Sequence, residues 1–227
     1  MLIELLKGNT SVLISVILSL PIILFSLSFH EFSHAWVAHK MGDDTARNLG
    51  RLTLNPFAHL DPMGALCMLL FGFGWAKPVP ITSRNFDKPK KGMALSALAG
   101  PVSNLLLGLI GVLLTRIALA VLSPFYVVGT VSGNIIMYTV SFFHLFGYLN
   151  ISLAVFNMLP IPPFDGSRIL WIFLPDKYYF GIMKYERYIQ IGLLILLYTG
   201  VLSTPLSLAT TGIYNLFDKL IGFIPFL

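Results

Sequence analysis

Apolar residues run almost unbroken from about residue 10 to residue 30, "TSVLISVILSLPIILFSLSFH". That meets the roughly 20 residues a helix needs to cross a bilayer. The apolar pattern extends this first span to about residue 38 and predicts others at about 93–122, 134–158 and 189–203. Between the first two, residues 40–91 turn polar and rich in Pro and Gly, interrupted by "MGALCMLLFGFGW", residues 63–75. That insert is too short to span and lies between breakers, so a re-entrant or interfacial segment is expected. The alternating prolines of "AKPVPIT" then favour an extended edge segment over a helix. The last stretch, "TTGIYNLFDKLIGFIPFL", is short and broken and reads as an amphipathic interfacial helix. The expected fold is an all-α polytopic membrane protein with about four transmembrane helices, one domain over residues 1–227. A signal-peptide reading of the first run fails: no basic region precedes it beyond Lys7, no small-residue cleavage pattern follows, and the helix continues into a polar motif.

Composition agrees. Only 11% of the 227 residues are charged and mean hydropathy is +0.81, whereas soluble domains carry about 25% charged residues. The net charge of +5 does not point to nucleic acid, because the bases follow membrane topology. Of 15 Lys and Arg, eight fall between Lys40 and Lys91 and four between Arg168 and Arg187. By the positive-inside rule these two segments are cytoplasmic, and both termini and the loop at 123–133 face outward. The expected location is a plasma membrane, with a compact form that suits a prokaryote. A single cysteine, Cys67, excludes internal disulfides and any CxxC site, and no internal repeat is visible.

The end of the first span carries "HEFSH". His30 and His34, at i and i+4, share one helix face and can aim both imidazoles at one point. With Glu31 beside the first, this is the HExxH arrangement, in which two histidines hold zinc and the glutamate acts as general base on its water. Idle ionisable groups at this depth are costly, which favours the metal reading over a purely structural one. A catalytic zinc takes a third protein ligand and keeps one position open. Val37 and Lys40 stand where the metzincin pattern needs Gly and His. No Glu occurs between Glu31 and Glu186, which lies in a charged stretch. His39 turns away from the His30 and His34 face, His59 and Asp61 sit in a proline-bounded polar turn, and His144 is mid-span with a hydrogen-bonded role in the bundle favoured. Asp165 stands out. It closes "FNMLPIPPFDG", where Pro160, Pro162 and Pro163 must break the helix and free carbonyls that need protein or a water-filled cavity around them. Gly166 permits a sharp exit turn. Asp165 as the N-cap of a following helix is the competing reading, and the two roles can coexist.

HEFSH, "AGPVSN" at 99–104 and "NMLPIPPFDG", in this order and at these places in the spans, resemble the site-2 proteases, the zinc intramembrane metalloproteases. The resemblance covers roughly residues 20–175, with "GRLTLNPFAHLDPMG" and "WAKPVPI" between the first two motifs. It implies one Zn2+ per chain on His30, His34 and Asp165, and Glu31 as catalytic base. It implies a substrate-binding role for Asn157 and a site-positioning role for Asn104, although both are amides in apolar spans whose need for partners packing alone can meet. Phe164 replaces a frequent Leu, a conservative change. With no room in these 227 residues for a PDZ domain or a CBS pair, the chain is expected to resemble a minimal form of the family. The implied reaction is cleavage of transmembrane segments of membrane proteins near the cytoplasmic face. The implied partners are a transmembrane protein substrate and the lipid bilayer, with no nucleic acid; substrate choice is expected to rest on the membrane part itself, on residues 40–91 or on a separate adaptor or regulatory protein. The alternative is a metal-binding membrane scaffold or zinc carrier without protease activity, but carriers usually show internal repeats.

Overall fold

The computed structural model describes residues 10–71, 74 and 76–222. The described helices are α1 (Thr10–Lys40), the short α2 (Thr45–Asn48), α3 (Pro56–His59) and α4 (Pro62–Phe71), then α5 (Pro89–Leu122), α6 (Val131–Asn157), α7 (Asp165–Ile169), α8 (Asp176–Met183), α9 (Glu186–Tyr198) and α10 (Ser203–Ile221). α1, α5 and α6 are long and apolar enough to cross a membrane. The chain is all-α: among the described residues the only β pairing is an isolated antiparallel bridge between Leu60 and Ala76.

The three long helices pack inside out relative to a soluble bundle. Outward, α5 presents Val102, Leu106, Ile110 and Ile117. Inward, it presents Gly100, Ser103, Asn104, Gly108, Gly111 and Thr115. Lipid is as apolar as a leucine, so helices here gain by backbone approach and by satisfying polar groups against one another. The crossing of α5 and α6 shows the consequence. A Cβ on Gly111 would collide with the Gly147 backbone, and one on Gly108 would lie 2.6 Å from Ile151 Cγ1. Val112 and Ile151, both fully buried, centre an apolar cluster there with Ile221 of α10.

α1 ends where its pattern says it should. Gly42, at φ 104°, takes the left-handed position that closes a helix, and Asp43 N–H reaches back to Ala38 O at 2.9 Å. The expected short insert forms the ten-residue α4, and the expected extended segment runs without regular structure from Lys77 to Thr82. Residues 72, 73 and 75 of these two stretches lie outside the described residues.

The C-terminal quarter departs in detail from the hydropathy pattern. The span expected at 189–203 is met by α9, whose 13 residues end before a left-handed Gly200 (φ 74°). At 1.5 Å per residue such a helix rises only about 20 Å. α10 starts earlier than the expected interfacial helix. Its stripe of Ile213, Phe217 and Ile221, spaced by four, is taken up by α5 and α6, and Arg116 of α5 grips Asp218 with two 2.7 Å hydrogen bonds.

Candidate metal centre

His30 and His34 lie on the face of α1 that meets α5, and the meeting is possible because residue 100 has no side chain. A Cβ there would stand 2.5 Å from His34 Cε1 and Nε2 and 2.6 Å from His30 Cε1. The next residue, Pro101, has no N–H for the carbonyl of Ala97, which loosens this turn of α5. Next to it, the carbonyl of Ser96 accepts a 2.7 Å hydrogen bond from His34 Nδ1. On the other histidine, His30 Nδ1 stands 2.5 Å from Asn104 Oδ1. Both outer ring nitrogens are thus occupied, and both Nε2 atoms turn to a common point, 2.9 Å apart.

Asp165 arrives at the same point from the opposite direction. α6 ends at Asn157, and the proline-rich turn folds back with Phe156 and Phe164 rings 4.3 Å apart. Asp165 is the first residue of α7, with Phe164 rather than Asp165 at the N-cap. Its Oδ2 lies 3.1 Å from His30 Nε2 and 3.2 Å from His34 Nε2. Gly166 serves by close approach, not by an unusual turn: its φ is ordinary, and a Cβ would press into the carbonyl oxygens of Met158 and Leu159. Ligand atoms of His30, His34 and Asp165 all lie within 4.8 Å of one another, in surroundings that leave both histidines almost fully buried. Two imidazoles and a carboxylate with outer nitrogens held elsewhere form a donor set that fits zinc.

Glu31 is also buried, and its Oε2 accepts a 2.8 Å hydrogen bond from the N–H of Val79 in the extended segment. That segment is fastened at both ends. Lys77 N–H donates to His59 O at 2.8 Å, and Lys77 O accepts from Arg51 Nη2 at 2.5 Å. Asp43 accepts from Thr82 N–H at 2.6 Å and from Asn85 Nδ2 and Thr45. Burial alone would raise the Asp43 pKa, but these donors overcome it and hold the carboxyl below its ordinary range.

The remaining sequence candidates stay apart from this centre. His39 pairs with Asp44, His59 with Thr53 O, and His144 with the Tyr214 hydroxyl. Asn157 donates to Leu153 O, one turn back in its own helix, at 3.0 Å. Sequence reasoning missed Gly100, Asn150, which accepts from Asn104 at 2.9 Å, and the Val79 N–H. The small-residue run "ALSALAGP" signals close helix approach, and an Asn in mid-span signals a buried polar partner. Nothing local marks one backbone N–H among its neighbours.

This geometry and the fold define a membrane metalloprotease. The chain belongs to peptidase family M50, whose model matches residues 18–199. It is 41% identical over 181 residues to YwhC of Bacillus subtilis, covering 78% of each chain. It is 33% identical over 152 residues to Rip2 of Mycolicibacterium smegmatis and 30% identical over 200 residues to MJ0392 of Methanocaldococcus jannaschii. The matches cover 65% and 86% of this chain, but only 53% of Rip2 and 47% of MJ0392. All three names contain "zinc metalloprotease". No solved structure matches the chain. Zinc is the cofactor that the family implies, and the protein is a multi-pass membrane protein.

Proposed function

We propose that this chain is a zinc-dependent intramembrane endopeptidase that cuts transmembrane segments of membrane proteins near the cytoplasmic face. His30, His34 and Asp165 hold one Zn2+, and Glu31 is the general base. The observation that carries the reading is the convergence of two Nε2 atoms and a carboxylate oxygen at the end of an apolar helix, with both Nδ1 atoms engaged outward.

Zinc bound there supplies Lewis-acid activation of water and of the scissile carbonyl. Glu31 takes the proton that the attacking water loses and passes it to the leaving amine. The Val79 N–H holds the Glu31 rotamer until substrate arrives. A substrate helix must unwind first, because its carbonyls are covered by its own hydrogen bonds. The extended 77–82 segment offers an edge to the unwound chain, where Pro78 and Pro80 contribute carbonyls only. Asn157 leaves Leu153 O to bind substrate backbone, and Asn104 positions the site through His30. The single domain lies in a plasma membrane with both termini outside, and substrate choice rests on the membrane part itself, on residues 40–91 or on a separate adaptor or regulatory protein.

The test is metal content of detergent-solubilised protein beside Asp165→Ala. About one zinc per wild-type chain and clear loss in the variant are expected from a three-ligand site. Wild type that stays metal-free in a metal-replete preparation would sink the assignment and leave the scaffold reading. Retention in Asp165→Ala would move the third ligand elsewhere.

A further inference from the structure

Two buried amides stand behind His30. Asn104 of α5 and Asn150 of α6 are both fully buried and 2.9 Å apart, and together they link three helices across the middle of the bundle. Their polarity can be read from its far end. Asn150 Nδ2 lies 2.9 Å from the carbonyl oxygen of Phe146, which can only accept. That end of the amide is therefore the NH2, and Asn150 turns its Oδ1 to Asn104. Asn104 must answer with its own NH2, an orientation to which a longer 3.4 Å bond to Ser26 O adds. Its Oδ1 then faces His30 Nδ1 at 2.5 Å, so that ring nitrogen must carry the proton. Reversing either amide would set oxygen against oxygen or N–H against N–H between two fully buried groups. The proton on Nδ1 leaves the Nε2 lone pair free toward His34 and Asp165.

We infer that Asn150 is a positioning residue of the metal centre: through Asn104 it fixes His30 as the Nδ1–H tautomer, the form that can ligate through Nε2. The inference rests on the reading of His30 as a metal ligand. His34 needs no such relay, since its Nδ1 donates directly to Ser96 O, a carbonyl whose polarity is fixed by the backbone. Without Asn150, the Asn104 amide loses the partner that sets its direction and can turn its NH2 to His30.

The experiment uses the full chain in detergent. Zinc affinity is measured by competition with a chelator, and histidine ring 15N shifts of metal-free protein report the tautomer. Asn150→Leu, close in volume, should lower zinc affinity by roughly 10-fold or more, as loss of support behind a ligand typically does. It should also add an Nε2–H population at His30. Asn104→Leu should lose at least as much, and the double variant no more than Asn104→Leu alone, because the two act in series. Asn150→Asp, which keeps an acceptor for Asn104 and, when protonated, a hydrogen for Phe146 O, should lose less affinity than Asn150→Leu. Unchanged affinity in Asn150→Leu, or losses that add in the double variant, would overturn the inference. So would an Nε2–H tautomer at His30 in metal-free wild type, a readout that needs no variant to fold. Wild type that binds no zinc would remove the ligand reading instead, while the tautomer readout still decides the relay.

Discussion

The two sides of the HEFSH turn are held in different ways. Toward α5 and α6, His30 and His34 are gripped inside the helix bundle by Asn104, the Ser96 carbonyl and the bare backbone of Gly100. Toward the 77–82 segment, Glu31 meets one N–H on a strap without regular structure, tied down by Asp43, Arg51 and the His59 carbonyl. Bundle contacts cannot open without separating helices, whereas the strap can lift by exchanging a few hydrogen bonds. The proposed ligands are therefore built for rigidity. The proposed base is built with a partner that substrate can replace.

The sharpest separation of the two sides is Glu31→Gln. Turnover should fall by the roughly 10²–10⁴-fold that a general base contributes, while bound zinc per chain stays as in wild type. Turnover that persists would remove Glu31 from the chemistry, and loss of metal would mean that the two sides are not independent. Gly100→Ala attacks the bundle side. Its Cβ has no room beside either imidazole, and overpacking of this kind costs about 1–3 kcal/mol. Zinc affinity and thermal stability should both drop; a variant with wild-type metal content would show that α5 can retreat.

Asp43→Ala attacks the strap. It strands the Thr82 N–H and the Asn85 amide, each worth about 1 kcal/mol as a lost hydrogen bond. Amide exchange at Val79 and Thr82 should quicken by about 10-fold with no change in zinc affinity. Slow exchange at Val79 would mean that the strap is held from elsewhere. Acid should mimic the substitution. Because the folded pKa of Asp43 is lowered, its contribution is complete above the unfolded value near 3.8 and is lost only as pH falls below that, toward the folded value. Strap exchange should be insensitive to Asp43 titration between pH 5 and 8. The smallest effect is expected from Asp218→Asn, which touches neither side. It weakens a solvent-screened ion pair to Arg116 in which Asn can still accept a hydrogen bond. Melting should shift slightly, with metal content and activity unchanged.

Much of this protein is fixed by local sequence. Long apolar runs dictate α1, α5 and α6, since a backbone in lipid must satisfy itself within one helix. The spacing of His30 and His34 alone puts them on one face, and Pro160, Pro162 and Pro163 alone force the break that precedes Asp165. What no local pattern could decide is which groups lie behind those ligands. Asn150 reaches His30 across two helices and 120 residues, and Val79 meets Glu31 across 48, because packing joined their elements. The hydropathy pattern also drew one span over 189–203, where the chain instead turns at Gly200 and sends α10 back onto α5 and α6. Hydropathy measures what a residue prefers as solvent. Only the tertiary structure decides whether that solvent is lipid or another helix.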